Sequence, residues 1–574
     1  MIRKLLPFMK KYRWYALLCP LLMILEVISD ILIPYLMSLV VDVGIKQGDT
    51  PYILKLGLAM IFLALAGMVM GIVSSRLGAT AGYGLAAEIR QAAYDKVQGF
   101  SFTNLDAMSV PSLITRITSD CDTLGMVTMM SLRMAIRAPF MMIFALIMTF
   151  RVNPQLARIF LVAIPIVVIA MFLILKTARP LFTLLQKKVD GINAIVQENL
   201  IGIRVVKSFN RQSFEASRFK VKNDDLQNTA LRAISVVVLL MPILNTVIYL
   251  CIIAVLWFGG LQVMAGTLEG GSLIAFVTYV IQIMISLMML SMYFMQLTRG
   301  QASAGRLVEV LETDSEIRES DDPIHTIENG SIEFKGVCFR YPGNAADILK
   351  NIDLRINSGE TIGIIGSTGS SKSTLVQMIP RLYDVSGGEV LVAGHSVKDY
   401  SLRSLRDAVA FVLQKNTLVT GTIRSNMLWG DDKASDEKII TKLKQAQAWE
   451  FVTQFPDGLD HPVAQGGSNF SGGQKQRLTI ARALMKEPKI IILDDSTSAV
   501  DTATDEKLRR SFRMDLPGVT KLIIAQRVSS IEDADRIIVM DKGRIESMGT
   551  HDQLLERSAV YNEILQSQQR GLAV

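Results

Sequence analysis

Residues 361–379 read TIGIIGSTGSSKSTLVQMI. An apolar, strand-like run (TIGIIG) enters a turn rich in glycine and serine, and a helix-like pattern, STLVQMIPRLY, leaves it. The turn itself, GSTGSSKST (366–374), differs by one letter from the phosphate-cradling pattern G-x-x-x-x-G-K-[ST]. Gly366, Lys372 and Ser373 keep their places, but Ser371 stands where a glycine is expected. Strand, turn and helix in that order are the context such a loop needs, because backbone N–H groups at a helix start point at phosphate. The stretch is therefore read as a nucleotide site, with Gly366, Ser367, Thr368, Gly369, Ser370, Ser371, Lys372, Ser373 and Thr374 around the phosphates. The extra Cβ and hydroxyl of Ser371 are expected to slow or reshape nucleotide binding.

Further along, KIIILDD (489–495) is a buried-type strand ending in carboxylates. Asp494 at its end suits the metal that neutralises phosphate charge. A strand of this kind is common, so it weighs little alone. Between it and the loop lies NFSGGQKQRLTIARAL (469–484), where Ser-Gly-Gly-Gln opens a helix and offers backbone N–H groups to an anion. A glycine-rich turn capped by serine explains SGG, but not the whole string at this position.

Upstream the chemistry changes. Half of the 574 residues are hydrophobic, and the apolar ones crowd into roughly the first 300. Runs such as YALLCPLLMILEVISDILIPYLMSLVV (15–41) are long enough to cross a membrane. Six spans are expected near 15–42, 54–80, 129–150, 157–178, 236–260 and 272–297. The first is too long for a signal peptide and no small-residue cleavage site closes it. Connections alternate in length. Those at 43–53, 151–156 and 261–271 are short and carry few cations. Those at 81–128 and 179–235 are long, helical in pattern and basic, with Arg90, Lys96, Arg116, Lys187, Lys188, Arg204, Lys207, Arg211 and Arg218. The positive-inside rule places the long connections and both termini in the cytoplasm of a multi-pass cell-membrane protein. The same rule accounts for the net charge of +7 without nucleic acid. The four cysteines lie far apart and fit neither a disulfide framework nor a metal pattern. Domain expectations follow: a membrane domain over 1–310, a polar linker over 311–330 and a soluble nucleotide-binding domain over 331–574.

With these motifs in order, the chain resembles a half-size ABC exporter of the multidrug or lipid type. The resemblance runs over nearly its whole length. It implies a polytopic α-helical membrane domain of six long helices, with coupling segments near 105–112 and 208–216, followed by an α/β P-loop ATPase domain. It also implies ATP and Mg2+ as ligands, with Ser373, Gln414 and Asp494 at the metal. Tyr341 fits the aromatic that stacks on adenine, and Gln414 the glutamine that reaches metal and coupling segments. Ser471, Gly472, Gly473 and Gln474 match the signature, STSAVD (496–501) the D-loop, and the region from 523 to 555 the switch and final strands.

Three letters depart from the family's pattern. Asp495 stands where a glutamate usually acts as general base, and a shorter carboxylate can cost about 100-fold in rate. Gln526 replaces the switch histidine and cannot carry a proton. Ser371 is the third. All three lie on one nucleotide face, while the signature on the other is intact. The family pairs two such domains head to tail, so the resemblance implies a heterodimer whose partner half-transporter keeps the glutamate and histidine. Gln465, where exporters more often have glutamate, supports that asymmetry. A nucleotide-gated sensor or channel and a slow homodimeric pump are the competing expectations.

Cargo clues are sparser. Glu26 and Asp30 share a face of the first span; they either attract cations or pair with Arg133 or Arg137. Met284, Met288, Met292 and Met295, with Tyr293 and Phe294, form a stripe that suits either apolar ligands or packing. The expected substrate is an amphipathic small molecule.

Overall fold

The computed structural model describes residues 2–496 and 501–572. It divides into two units, one of residues 1–98 and 111–312, the other of 99–110 and 313–574.

In the first unit, a chain so rich in Leu, Ile and Met has to satisfy every backbone polar group within its own helices. Among the described residues, six helical stretches are long and apolar enough to cross a membrane: Leu6–Ile45, Thr50–Gln98, Val110–Val152, Pro154–Ile201, Gln212–Met264 and Gly270–Glu312. Each outruns its apolar centre. Thr50–Gln98 has 49 residues, which at about 1.5 Å apiece is more than twice a hydrocarbon core of ~30 Å. Gly202 ends the helix Ile159–Ile201, and the short helix Ile203–Ser208 follows before Gln212–Val238 begins. The stretch 110–124 is helical but not uniform. Val110–Thr115 widens into a π turn at Arg116–Asp120 before the long helix Cys121–Val152. At that turn the buried Asp120 carboxylate accepts hydrogen bonds from Arg306 Nε (2.7 Å) and Ser303 Oγ (2.8 Å). In the core of this unit Phe160 stacks on Phe276, and buried Tyr279 donates to the Ile31 carbonyl at 3.0 Å.

The second unit holds two main sheets among its described residues. One is antiparallel, in the order Leu349–Ile356, Ile332–Phe339, Gly387–Val392, His395–Ser396. The other has six strands in the order Arg544–Gly549, Arg536–Asp541, Thr361–Gly366, Thr520–Ile524, Ile490–Asp494, Val409–Val412. All neighbours in it are parallel except the antiparallel edge strand Arg544–Gly549. The inner residues of TIGIIG and the whole of KLII and IIIL are buried, as strands covered on both faces require.

The helix leaving the glycine-serine turn is shorter than its pattern suggests. It runs only from Lys372 to Gln377, because Pro380 disfavours helix at the residue before it and Arg381 adopts a φ of 50°. The polar stretch after Glu312 lies along the second unit. Arg381 Nη2 donates to the Arg318 carbonyl (3.0 Å), Leu402 N to Glu319 Oε1 (2.7 Å) and Ile324 N to the Asp399 carbonyl (2.8 Å).

Candidate functional site

Parallel register brings together residues that lie far apart in sequence. In the six-stranded sheet, Ile524 pairs with Asp494 and Val412 with Leu493. Four strands thus end at one edge, and the residues that follow them, Gly366–Thr374, Asp495, Gln414 and Gln526, leave from that edge together. Open parallel sheets bind ligands at this end of their strands.

The side chains close on one another there. Ser373 Oγ donates to Asp494 Oδ1 at 2.9 Å. Asp495 Oδ2 accepts from Gln526 Nε2 at 2.7 Å and from Gln414 Nε2 at 3.4 Å. Lys372 Nζ donates to the carbonyls of Gly366 (2.9 Å) and Ser367 (3.0 Å). Burial pushes the Asp494 and Asp495 carboxyls above their ordinary range and pulls the Lys372 ammonium below its own. Ser371 sits at φ 74°, ψ 26°, a left-handed conformation that glycine enters freely and serine does not. Gly369, at φ 83°, makes the preceding turn. Asp495 is also left-handed, at φ 50°.

This donor set fits a nucleotide and its metal. The Ser373 hydroxyl, the Asp494 carboxylate and the Gln414 amide oxygen are hard oxygens of the kind Mg2+ prefers. Lys372 and the first-turn N–H groups of Lys372–Gln377 suit phosphate.

Tyr341 stands at the rim, half-buried, its hydroxyl 3.3 Å from both Thr374 Oγ1 and Gln377 Oε1. Its ring packs edge-on against Phe339 (4.8 Å) and Tyr383 (5.3 Å). Ser471 caps the helix Gly472–Leu484: its Oγ accepts from Gln474 N while Gln474 Oε1 accepts from Ser471 N at 2.9 Å. Ser471 and Gly472 are exposed, and among the described residues no hydrogen bond joins 471–474 to 366–374. Gln465 lies exposed in the short turn Gln465–Gly467. Of STSAVD, residues 497–500 lie outside the described residues; Asp501 caps the helix Thr502–Asp515 by accepting from Thr504 N at 2.9 Å.

Two groups at this site carry no motif. Tyr383 touches Tyr341 on one side and, on the other, donates to Asp106 Oδ2 at 2.7 Å. Phe102 adds its ring at 5.9 Å from Tyr383. The segment 99–110 is thereby tied to the aromatic rim. Gln568, on the C-terminal helix Ala559–Leu572, donates to the Gln526 carbonyl (2.7 Å) and accepts from Val528 N (3.0 Å), bracing the switch position.

In the first unit Glu26 and Asp30 both pair with Arg137, Asp30 Oδ2 at 2.8 Å from Nη2. The methionine stripe divides: Met284 is buried in the core, while Met292 and Met295 are exposed.

Residues 16–288 match the family described as "ABC transporter transmembrane region", and 349–498 the family described as "ABC transporter". The ABC transporter ATP-binding protein YfiB of Bacillus subtilis is 36% identical over 567 residues, covering 99% of this chain and 98% of that one. An ATP-dependent lipid A-core flippase of Escherichia coli is 30% identical over 565 residues, covering 98% and 97%. The solved structure of a bacterial Atm1-family ABC exporter with ATP bound shares the fold, with a TM-score of 0.81 at 23% identity over 98% of each chain.

Proposed function

The chain belongs to the ABC transporter family as a half-size exporter, and from that premise we propose that it is one subunit of a heterodimeric, ATP-driven pump for amphipathic compounds. Its partner is a second half-transporter that keeps the Walker B glutamate and the switch histidine. This chain's own Walker face binds ATP and hydrolyses it poorly. Its signature, Ser471 to Gln474, completes the partner's productive site.

One observation carries the reading. Asp495, already a methylene shorter than the usual base, has its Oδ2 held between two amides, Gln526 Nε2 at 2.7 Å and Gln414 Nε2 at 3.4 Å. Neither amide can accept a proton, so neither relays one from an attacking water. Binding does not need that relay. Lys372, Ser373 and Asp494 remain placed for phosphates and Mg2+, which when bound would neutralise phosphate charge.

The basic connections 81–128 and 179–235 support a cytoplasmic face for the ATPase domain and both termini. Cargo leaves the cytoplasm or the inner leaflet. The name of the Escherichia coli relative, a lipid A-core flippase, supports a lipid-like amphiphile.

The test is ATP-dependent dye accumulation in inverted vesicles. Asp495→Ala leaves transport largely intact, whereas Ser471→Ala nearly abolishes it. Because losing the serine cap also costs the helix about 1 kcal/mol, Ser471→Asp, which caps but repels phosphate, is run beside it. Loss of turnover in Asp495→Ala alone would overturn the division of labour. Dye movement that follows its gradient on ATP binding alone would favour a gated channel.

A further inference from the structure

We propose that the membrane half holds a binding site for an amphipathic anion, with Arg133 as the group that recognises its charge. The proposal rests on the exporter reading and names its substrate class. A cavity of about 300 Å³ lies among the helices Arg13–Leu39, Cys121–Val152 and Gly270–Glu312. Its walls include Met23, Met134, Met289, Ser286, Gln282 and Arg133.

The charges around it are not equivalent. Arg137, one turn beyond Arg133, also borders the cavity, but both nearby acids already engage it: Glu26 meets Nη1, and Asp30 Oδ2 lies 2.8 Å from Nη2. Arg133 makes no ion pair and no hydrogen bond among the described residues, and its Nε is fully buried without an acceptor. The second oxygen of Glu26 also lacks a partner, but it faces another helix, where a Cβ on Gly71 would come within 3.1 Å of it. Arg133 also borders a second, more open cavity that Glu26 and Asp30 line, without coming within ion-pair distance of either acid. An intramembrane guanidinium with no ion-pair contact is costly, and by default it points to a functional site.

Gln282 sharpens the ligand's chemistry. Its Nε2 donates to the Asp30 carbonyl at 3.2 Å. A carbonyl only accepts, so the amide is oriented, and the buried Oε1 is left without a donor. The matching ligand carries an anionic group with a hydroxyl or amide N–H close by. The methionines give its apolar part an adaptable surface. This differs from the cation expected from Glu26 and Asp30 alone, because both acids turn to Arg137 and neither lines this cavity, which Arg133 does.

The full transporter, with its partner subunit, is placed in nanodiscs of zwitterionic lipid and titrated with N-dodecanoylglycine. That probe joins a carboxylate, a neighbouring amide N–H and an apolar chain. Dodecyltrimethylammonium, a chain of equal length with the opposite charge, is the comparison. The acyl glycine is expected to bind in preference. Arg133→Met is expected to raise its half-saturating concentration at least about tenfold, and Arg133→Lys to recover most of the loss. Met289→Trp, which fills the cavity without touching the charge, should weaken the same probe and guards against a folding defect in the arginine variants. Preference for the ammonium probe, or unchanged acyl glycine binding in Arg133→Met, would overturn the site. Repeating the titration in phosphatidylglycerol discs distinguishes a lipid source of the anion, seen as competition, from a soluble one; either result supports the site. Binding without ATP-driven accumulation in vesicles would instead remove the exporter reading and leave the site standing.

Discussion

Ser371 combines an unexpected letter with an unfavourable backbone. At φ 74° a non-glycine residue costs on the order of 1–2 kcal/mol, partly offset by the freedom a glycine would have unfolded. Ser371→Gly is therefore expected to raise stability by up to ~1 kcal/mol and to tighten ATP. Melting of the purified protein and titration with a fluorescent nucleotide read both. Unchanged values would mean that the loop accommodates serine without strain. Asp494 offers a second test. Burial raises its carboxyl pKa, so the folded chain holds that proton more tightly than the unfolded chain does. The associated stability is full below the ordinary carboxylate range and is lost as pH rises through the folded pKa. Asp494→Asn should thus melt higher than the parent at neutral pH, with the gap closing below about pH 4; a gap independent of pH would refute the assignment. The sequence made Ser371, Asp495 and Gln526 visible as departures from a pattern. It could not show that the two amides grip Asp495, because that contact depends on strand register. Gln568 was invisible for the same reason: a glutamine on a terminal amphipathic helix has no signature, and only folding brings it to the carbonyl of Gln526.

Elements were legible where one force dominates. Long apolar runs became spanning helices, and TIGIIG and IIIL became strands, since burial on both faces leaves little choice. Pattern misled where a single residue overrides it, as Pro380 does in stopping the helix at Gln377. The short helix Phe102–Ala107 shows what such detail achieves. Ser101 and Asn104 cap it reciprocally, and Asp106 on it accepts from Tyr383, whose ring touches Tyr341. Burial, with Asp106 alongside, pushes the Tyr383 phenol far above its usual range, so it remains a donor at any physiological pH. One side chain therefore links the Tyr341 ring to a segment continuous with the membrane helices. Tyr383→Phe keeps the ring and loses the hydrogen bond. ATP hydrolysis is expected to persist while substrate moved per ATP falls about tenfold, the worth of one hydrogen bond to a charged group. Parallel ATPase and uptake assays check this; an unchanged ratio would leave Tyr383 as packing only.

At the scale of the whole molecule, a half-transporter needs a second half. Two copies of this chain would place Ser371, Asp495 and Gln526 in both nucleotide sites, each facing an intact signature, and neither site would hold a strong base. Pairing with a chain that keeps glutamate and histidine leaves one site that turns over and one that holds. Purification from native membranes should then yield two different half-transporters in equal amounts, with one ATP retained per dimer during turnover. Restoring this chain's face with Asp495→Glu and Gln526→His together should let the second site fire and lift hydrolysis toward, and no further than, about twofold, since two competent sites replace one. Glutamate alone should gain less, because Gln526 Nε2, now 2.7 Å from the carboxylate, would still hold it without relaying a proton. The same double change in a dimer of identical chains would raise turnover from near zero by orders of magnitude. The size of the gain, read beside the composition of the purified complex, therefore separates the two assemblies, and a fully active complex of this chain alone would exclude the asymmetric one.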